Sequence, residues 1–331
     1  SWPMLPTPEP NVSRQLMGNL VYDFGSGMSL RLSGALSRAD GHTLSGKSTT
    51  SWYNWTWDRV FSVKRTADEN IQLGLRWTQA LSANTFYEIK LNTLRTTSID
   101  GSPVTDPGEL DGVTSPLVWE GWTNLPDGFN YGELDNDFVS EKTRTISLDG
   151  SITSQATSSH MLLAGVQGNL YSIDVNSLSS VTSRSGGSVS QYSANPYEVG
   201  LYAQDKMEFE GMIANIGLRL DVYSANVMYY SDVFSPYRYT DSLGVQRTDE
   251  RYAPKSKTPV LGRLQPRAGI SFPVSTETVF HVNYGTFLQR PPFGRIISQS
   301  VNRKELNNYG TALTVNGTLG NPRLRPEVTS S

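Results

Sequence analysis

No cysteine occurs among the 331 residues, which removes disulfides, thiolate catalysis and cysteine-based zinc sites together. Histidine is nearly as scarce: His42, His160 and His281 stand far apart, and none has the spacing of a metal ligand. No run approaches 18 apolar residues, so a helical membrane span is excluded. Hydrophobic content of 37% and a mean hydropathy of −0.38 still allow a membrane β-barrel, because half of its strand residues face a polar lumen. An excess of positive charge is lacking too. The 28 basic and 31 acidic residues give a net charge of −3, which argues against a nucleic-acid partner. No nucleophile elbow, paired-carboxylate or kinase signature appears, so neither an enzyme nor a cofactor is expected. Ser1-Trp2-Pro3-Met4 is neither an initiator methionine nor a signal peptide.

What is present is period-2 alternation. Ile71, Leu73, Leu75 and Trp77 alternate with Gln72, Gly74 and Arg76, and after a turn at Ser82-Ala83-Asn84, Tyr87, Ile89 and Leu91 alternate with Glu88, Lys90 and Asn92. Leu16 to Phe24 and Met28 to Leu36 form an earlier pair around Gly25-Ser26-Gly27. Ile146, Leu148 and Ile152 turn through Ser154 to His160 into Leu162, Ala164, Val166 and Leu170. Val199, Leu201 and Ala203 turn at Glu208 to Gly211 into Ala214, Ile216, Leu218, Leu220 and Val222. Ala268, Ile270 and Phe272 turn through Pro273 to Glu277 into Phe280, Val282 and Tyr284. That makes about ten strands, each long enough to cross a bilayer when tilted.

Every second connection is long: Ser37 to Asn70, Thr96 to Lys142, Asp174 to Pro196 and Ser224 to Leu264. A soluble sandwich also shows alternation, but it has no reason for this asymmetry. A transmembrane barrel does, with short periplasmic turns and long outer loops. The expected fold is therefore all-β: an antiparallel transmembrane β-barrel, with Ile216, Leu218 and Leu220 facing lipid and Asn215, Arg219 and Asp221 facing the lumen. An exported barrel needs a signal, so the chain is expected to begin inside a longer protein, with residues 1–13 a leader from the upstream region and 14–331 the barrel.

Several motifs compete with this reading. Gly41-His42-Thr43-Leu44-Ser45-Gly46-Lys47-Ser48 satisfies the phosphate-binding loop formula, which needs a helix next. Thr49 to Trp57 is instead rich in β-branched and aromatic residues, and parity assigns it to an outer loop. His160 is expected in a periplasmic turn and His281 on the lumen face, as ordinary polar residues. Glu133, Asp135 and Asp137 could supply oxygen ligands to calcium, but the strict loop spacing is missing, so no metal site is expected. The outer loops also carry Trp52, Tyr53, Trp55 and Trp57, then Trp119, Trp122, Phe129 and Tyr131, then Tyr229, Tyr230, Tyr237 and Tyr239. Such rings stack on sugars or chelates, or else belong to an interfacial girdle or pack their own loops. Trp52, Trp55, Trp57, Trp119, Trp122, Tyr131, Tyr230, Tyr237 and Tyr239 are the candidate ligand-binding residues.

Four segments resemble the barrel of TonB-dependent receptors, the outer-membrane importers of Gram-negative bacteria. They are Leu75 to Glu88; Gln204-Asp205-Lys206 with Asn215 to Asp221; Pro266 to Pro292-Phe293; and Gly320-Asn321-Pro322-Arg323-Leu324-Arg325-Pro326-Glu327, which is similar to the family segment that introduces a strand. Members have 22 strands and a plugged lumen. The resemblance implies a partial barrel, without the plug, the TonB-contacting box or the last strands. It implies TonB-dependent uptake of a scarce nutrient (siderophore, vitamin, glycan or peptide) at the outer membrane, with lipid, the nutrient and, through the plug, TonB as partners. A plugless porin-like or structural barrel is the alternative. Cut from a larger barrel, the chain is expected to leave open edges near Leu16 to Phe24 and Phe280 to Phe287.

Overall fold

The computed structural model describes residues 12–44, 63–101, 138–179, 188–297 (without 233, 236–237, 249–251 and 275–276), 301–302 and 320–330. Ten long strands follow the alternating segments. They are β1 (Val12–Gly25), β2 (Met28–Leu44), β3 (Val63–Ser82), β4 (Thr85–Gly101), β5 (Phe138–Gln155), β6 (His160–Ser179), β8 (Tyr197–Phe209), β9 (Met212–Ser224), β14 (Leu261–Pro273) and β15 (Val279–Gln289). Shorter pieces are β7 (Ser188–Ala194), β10 (Met228–Tyr230), β11 (Arg238–Thr240), β12 (Gln246–Thr248), β13 (Lys255–Lys257), α1 (Phe293–Ile297), β16 (Val301–Asn302) and β17 (Glu327–Ser330). The main sheet runs β1-β2-β3-β4-β5-β6-β8-β9-β14-β15-β17, antiparallel throughout, with β7 pairing to β6 and β16 to β7.

Register explains why these residues form a two-faced wall. Leu20, Leu32, Leu75, Leu91 and Leu148 stand side by side across β1 to β5. One residue away, Asn19, Ser33, Gly74, Asn92, Ser147, Asn169 and Glu198 form the neighbouring rung on the opposite face. Alternate residues point to opposite faces, so one face is apolar and the other polar. All five leucines of that rung are exposed, from 36% for Leu75 to 63% for Leu20. A monomer in water does not leave such a patch bare.

The short turns lie at one end of the sheet, and aromatic rings gather on the apolar face beside them. Tyr22 and Phe24 stack edge to face at 4.6 Å, and Phe24 lies 5.5 Å from Trp77. Trp77 Nε1 donates to the Tyr87 hydroxyl at 3.1 Å. Phe272 and Phe280 meet at 5.4 Å. In the β1–β2 turn Gly25, Ser26 and Gly27 all have positive φ (76°, 55° and 74°). A Cβ on Gly27 would come within 2.7 Å of Ala80 Cβ, so glycine is required there by both conformation and space.

Several expectations need correction. The connections beyond β2, β4 and β6 are shorter than expected, because strands continue past the apolar band. β2 runs to Leu44 and β3 starts at Val63; β4 reaches Gly101 and β5 starts at Phe138; β7 folds back on β6 inside the expected Asp174 to Pro196 loop. Above the band both faces carry mainly polar residues, so alternation disappears from the sequence while the backbone ladder persists. Gly41 to Leu44, half of the phosphate-loop formula, is strand in register with Val63 to Thr66, and His42 sits in β2. His160 opens β6 rather than lying in the turn. Open edges exist, but the second is not simply β15: β17 covers Thr286 to Gln289. Among the described residues β1 pairs only with β2, and the barrel does not close.

Candidate functional site

The polar face carries a network of side-chain hydrogen bonds where β6, β8, β9 and β14 run together. Arg219 Nε donates to both Asp221 carboxylate oxygens, at 2.9 and 3.0 Å, and Nη1 donates to Gln167 Oε1 at 2.8 Å. Its guanidinium lies 5.9 Å from the centre of the Tyr202 ring. Gln265 Nε2 donates to Asp221, and the Gln265 Oε1 accepts the Leu288 backbone N–H at 3.0 Å. Gln265 is 1% exposed, so each of its polar groups needs a partner, and the network supplies one. The local backbone explains its position. Pro266 has no N–H to give, the β14–β15 register ends at Arg267 opposite Gly285, and a side chain satisfies the Leu288 N–H that the ladder does not.

Glycine makes the space. A Cβ on Gly200 would lie 2.8 Å from Asp221 Oδ1 and closer still to the Arg219 guanidinium, so this charged pair can lie flat only over glycine. Toward the loop end a second knot forms around Glu198. It accepts from Asn169 Nδ2 at 3.2 Å, from the Tyr171 hydroxyl, and from Arg290 Nε at 3.2 Å. The Arg290 guanidinium stacks on Phe293 at 3.6 Å, and Tyr171 meets Phe293 edge to face at 5.0 Å. The knot holds α1 against the sheet, where Ile296 and Ile297 join Ala194 and Ala225 in a small apolar cluster. Asn321 donates its backbone N–H to the Arg295 carbonyl at 2.9 Å, and Arg323 Nε reaches the Tyr229 hydroxyl at 3.1 Å. The two knots border a depression of about 690 Å³, lined among others by Asn92, Asp149, Gln167, Arg267 and Gln289.

Of the aromatic candidates, Trp52, Trp55, Trp57, Trp119, Trp122, Tyr131 and Tyr237 lie outside the described residues, as do Glu133, Asp135 and Asp137. Tyr230 is buried in the β10–β13 pair, with Lys255 Nζ 4.8 Å from its ring centre. Tyr239, in the β11–β12 hairpin, lies 5.6 Å from Tyr252. That hairpin is closed by Asp241, whose carboxylate takes a hydrogen bond from Arg247 and the N–H groups of Val245 and Leu243, and is thereby held below the usual carboxylate range. His160 Nδ1 meets Asp205 Oδ2 at 2.8 Å on the apolar face; His281, opposite Ser271, is exposed. Among the described residues no three His, Cys, Asp or Glu side chains gather as a metal site.

Sequence reasoning placed Arg219 and Asp221 on the polar face and missed their partners. Those partners, Gln167 and Gln265, come from strands far away in sequence, as do the two members of the second knot, Glu198 and Arg290, relative to each other. Only Pro266, an interruption inside a strand, hinted that a side chain must substitute for the ladder there.

A family model described as "TonB dependent receptor-like, beta-barrel" matches residues 11–331. No curated protein matches the sequence. The structure is similar to the Serratia marcescens hemophore receptor HasR, solved with its hemophore HasA and heme: TM-score 0.59, 13% identity, 96% of this chain and 41% of that one. It is also similar to the ferric-catecholate import receptor Fiu from Escherichia coli K12: TM-score 0.51, 12% identity, 97% of this chain and 48% of that one. At such identities the likeness shows the fold, and the chain spans less than half the length of either protein.

Proposed function

The chain belongs to the TonB-dependent receptor β-barrel family, and from that membership we propose that it forms one side of the barrel of an outer-membrane importer. The apolar face meets lipid, the polar face lines the lumen, and the long connections face outward. The observation that carries this reading is the exposed five-leucine rung backed, one residue away, by a rung with no apolar side chain larger than glycine. Aromatic side chains at the turn end match the girdle by which barrels seat in the interface.

Capture falls to the outer loops, where Trp52, Trp55, Trp57, Trp119, Trp122, Tyr131, Tyr230, Tyr237 and Tyr239 offer stacking surfaces for a scarce nutrient. One stacked ring contributes only about 0.5 to 1.5 kcal/mol beyond burial, so several must act together. The nutrient then passes along the lumen under control of a plug that docks on the polar face, with TonB supplying energy through that plug. No covalent step is involved. HasR and Fiu, by their names, handle heme with a hemophore and ferric catecholates; cargo of that size and aromatic or chelate character suits such loops.

The test is growth on, and uptake of, candidate nutrients by cells carrying the whole receptor, with and without TonB. Uptake lost without TonB, and reduced when Trp55, Trp119 and Tyr237 become Ala while the receptor stays in the outer membrane, is the expected result. TonB-independent leakage of small solutes would instead identify a passive pore.

A further inference from the structure

Three pairs of arginines face one another directly across adjacent strands: Arg14 with Arg38, Arg31 with Arg76, and Arg95 with Arg144. Like charges in that position destabilise a sheet unless something neutralises them. Two pairs have their answer within the protein. Arg38 Nε lies 2.8 Å from Asp40 Oδ2, and Arg76 lies 3.5 Å from Glu88. The third has none: among the described residues neither Arg95 nor Arg144 forms an ion pair, and both are exposed. The next rung of the same face toward the loops reads Glu69, Thr97, Lys142 and Asp174, and neither carboxylate makes an ion pair with Arg95 or Arg144.

Placement says where the missing anion comes from. Arg95 and Arg144 stand on the apolar face, next to Ile71 and Ser172 in register. One rung nearer the turns the face reads Thr93, Ile146 and Leu170, and below that Leu75, Leu91 and Leu148. The pair therefore marks the upper limit of the apolar band, on the side of the long connections. A guanidinium there is within reach of a group whose acyl chains lie against the leucines below it. Phosphate fits the planar donor fork of arginine, and two adjacent guanidiniums can grip one phosphate or two neighbouring ones.

We propose that Arg95 and Arg144 form a clamp for the anionic phosphomonoester headgroup of an acyl-chain lipid in the outer leaflet, a group that zwitterionic phosphatidylcholine does not present. The clamp rests on the apolar face being the lipid-facing one and is independent of what the receptor imports. Soluble phosphates share the headgroup chemistry but lack the chains, so they bind far more weakly.

The experiment uses the whole receptor in nanodiscs of phosphatidylcholine alone or with added phosphatidic acid, comparing wild type with Arg95→Gln/Arg144→Gln. In phosphatidylcholine alone the double variant should melt at a higher temperature, because the repulsion is gone. With phosphatidic acid the order should reverse, and the apparent affinity for that lipid should fall about thirtyfold, each basic residue at an anionic lipid surface being worth about a factor of five. Arg144→Lys should keep most of the affinity, and it serves as the readout if the double variant fails to assemble. Soluble glycerol phosphate should neither raise the wild-type melting temperature nor displace the lipid. A double variant less stable in both discs, unchanged lipid affinity, or equal stabilisation by soluble glycerol phosphate would overturn the clamp. Failure of TonB-dependent uptake would leave it standing.

Discussion

The strands β1 to β6 and the strands β8 to β17 are built on the same ladder yet hold together differently. In the first group β2, β3, β4 and β5 keep antiparallel register over 17 or 18 residue pairs, and their side-chain contacts are local ones, such as Arg76 with Glu88 on the next strand at 3.5 Å and Lys90 with Glu88 on the same strand at 2.5 Å. In the second group the strands are shorter, 13 residues in β8, β9 and β14, and the β14–β15 register ends at Arg267, next to Pro266. Long-range knots compensate: Arg219 with Gln167, Gln265 with Asp221, Arg290 with Glu198. The lesson is that backbone pairing suffices to make a wall, whereas holding loops and a helix over that wall draws on half-buried polar side chains of distant origin.

The largest effect should come from exchanging the two faces within β9. Leu218→Arg places a charge on the apolar face at a cost of roughly 2 to 4 kcal/mol if that residue lies near the bilayer midplane. Arg219→Leu removes a partly exposed polar partner instead and should cost less in assembly, measured by heat-modifiable electrophoretic mobility. Equal effects would erase the distinction between faces on which the comparison rests.

Next come the knots. Arg290→Ala leaves Glu198 without its charge partner and frees Phe293, with an expected loss of about 1 to 3 kcal/mol confined to the loop end. Hydrogen exchange should quicken in α1 and around Asn321 while β1 to β6 stay protected. Lys90→Ala, removing a more exposed cation whose partner Glu88 keeps Arg76 nearby, should change stability by less than about 1 kcal/mol. If the two substitutions behaved alike, the contrast between the groups would be lost. Glycine gives a finer version. Gly200→Ala crowds Arg219 and Asp221 and should cost about 1 to 3 kcal/mol, whereas Gly168→Ala meets nothing within 4 Å and should be nearly neutral by thermal melting.

The smallest expected effect depends on pH. Asp241 titrates below the ordinary carboxylate range because Arg247 and two backbone N–H groups favour its charged form. Its contribution is therefore complete above the unfolded pKa of about 3.9 and is lost as pH falls through the lower folded value. The β11–β12 hairpin should open at acid pH while the main sheet persists, visible as separation of the Tyr239 and Tyr252 rings by NMR.

How much of this was legible follows from where a signal can arise. Within the apolar band one face carries apolar side chains and the other polar ones, so Ile71 to Trp77 or Ala214 to Val222 alternate visibly, and all ten strands could be read. Above the band the same strands carry polar residues on both faces, and Thr96 to Gly101 looked like loop although β4 continues through it. Arg219 and Asp221 could be assigned a face by parity. Their partners could not, because Gln167 and Gln265 acquire their roles only when β6 and β14 are brought to either side of β8 and β9. Tyr230 and Tyr239 could be recognised as loop aromatics, but their contacts with Lys255 and Tyr252 depend on hairpins too short to show a period.

The account stands on the division between a lipid-facing and a lumen-facing surface, and the complete absence of cysteine makes that division directly measurable. Single cysteines at Ala203, Ile216 and Leu218, and at Gln204, Asn215 and Gly217, can be introduced into the whole receptor in native outer membranes and probed with a water-soluble maleimide and a lipid-dissolved quencher of an attached fluorophore. The account predicts strict alternation: quenching from the lipid at positions 203, 216 and 218, and aqueous labelling at 204, 215 and 217. Aqueous labelling of both sets alike, or quenching at 204, 215 and 217, would contradict it.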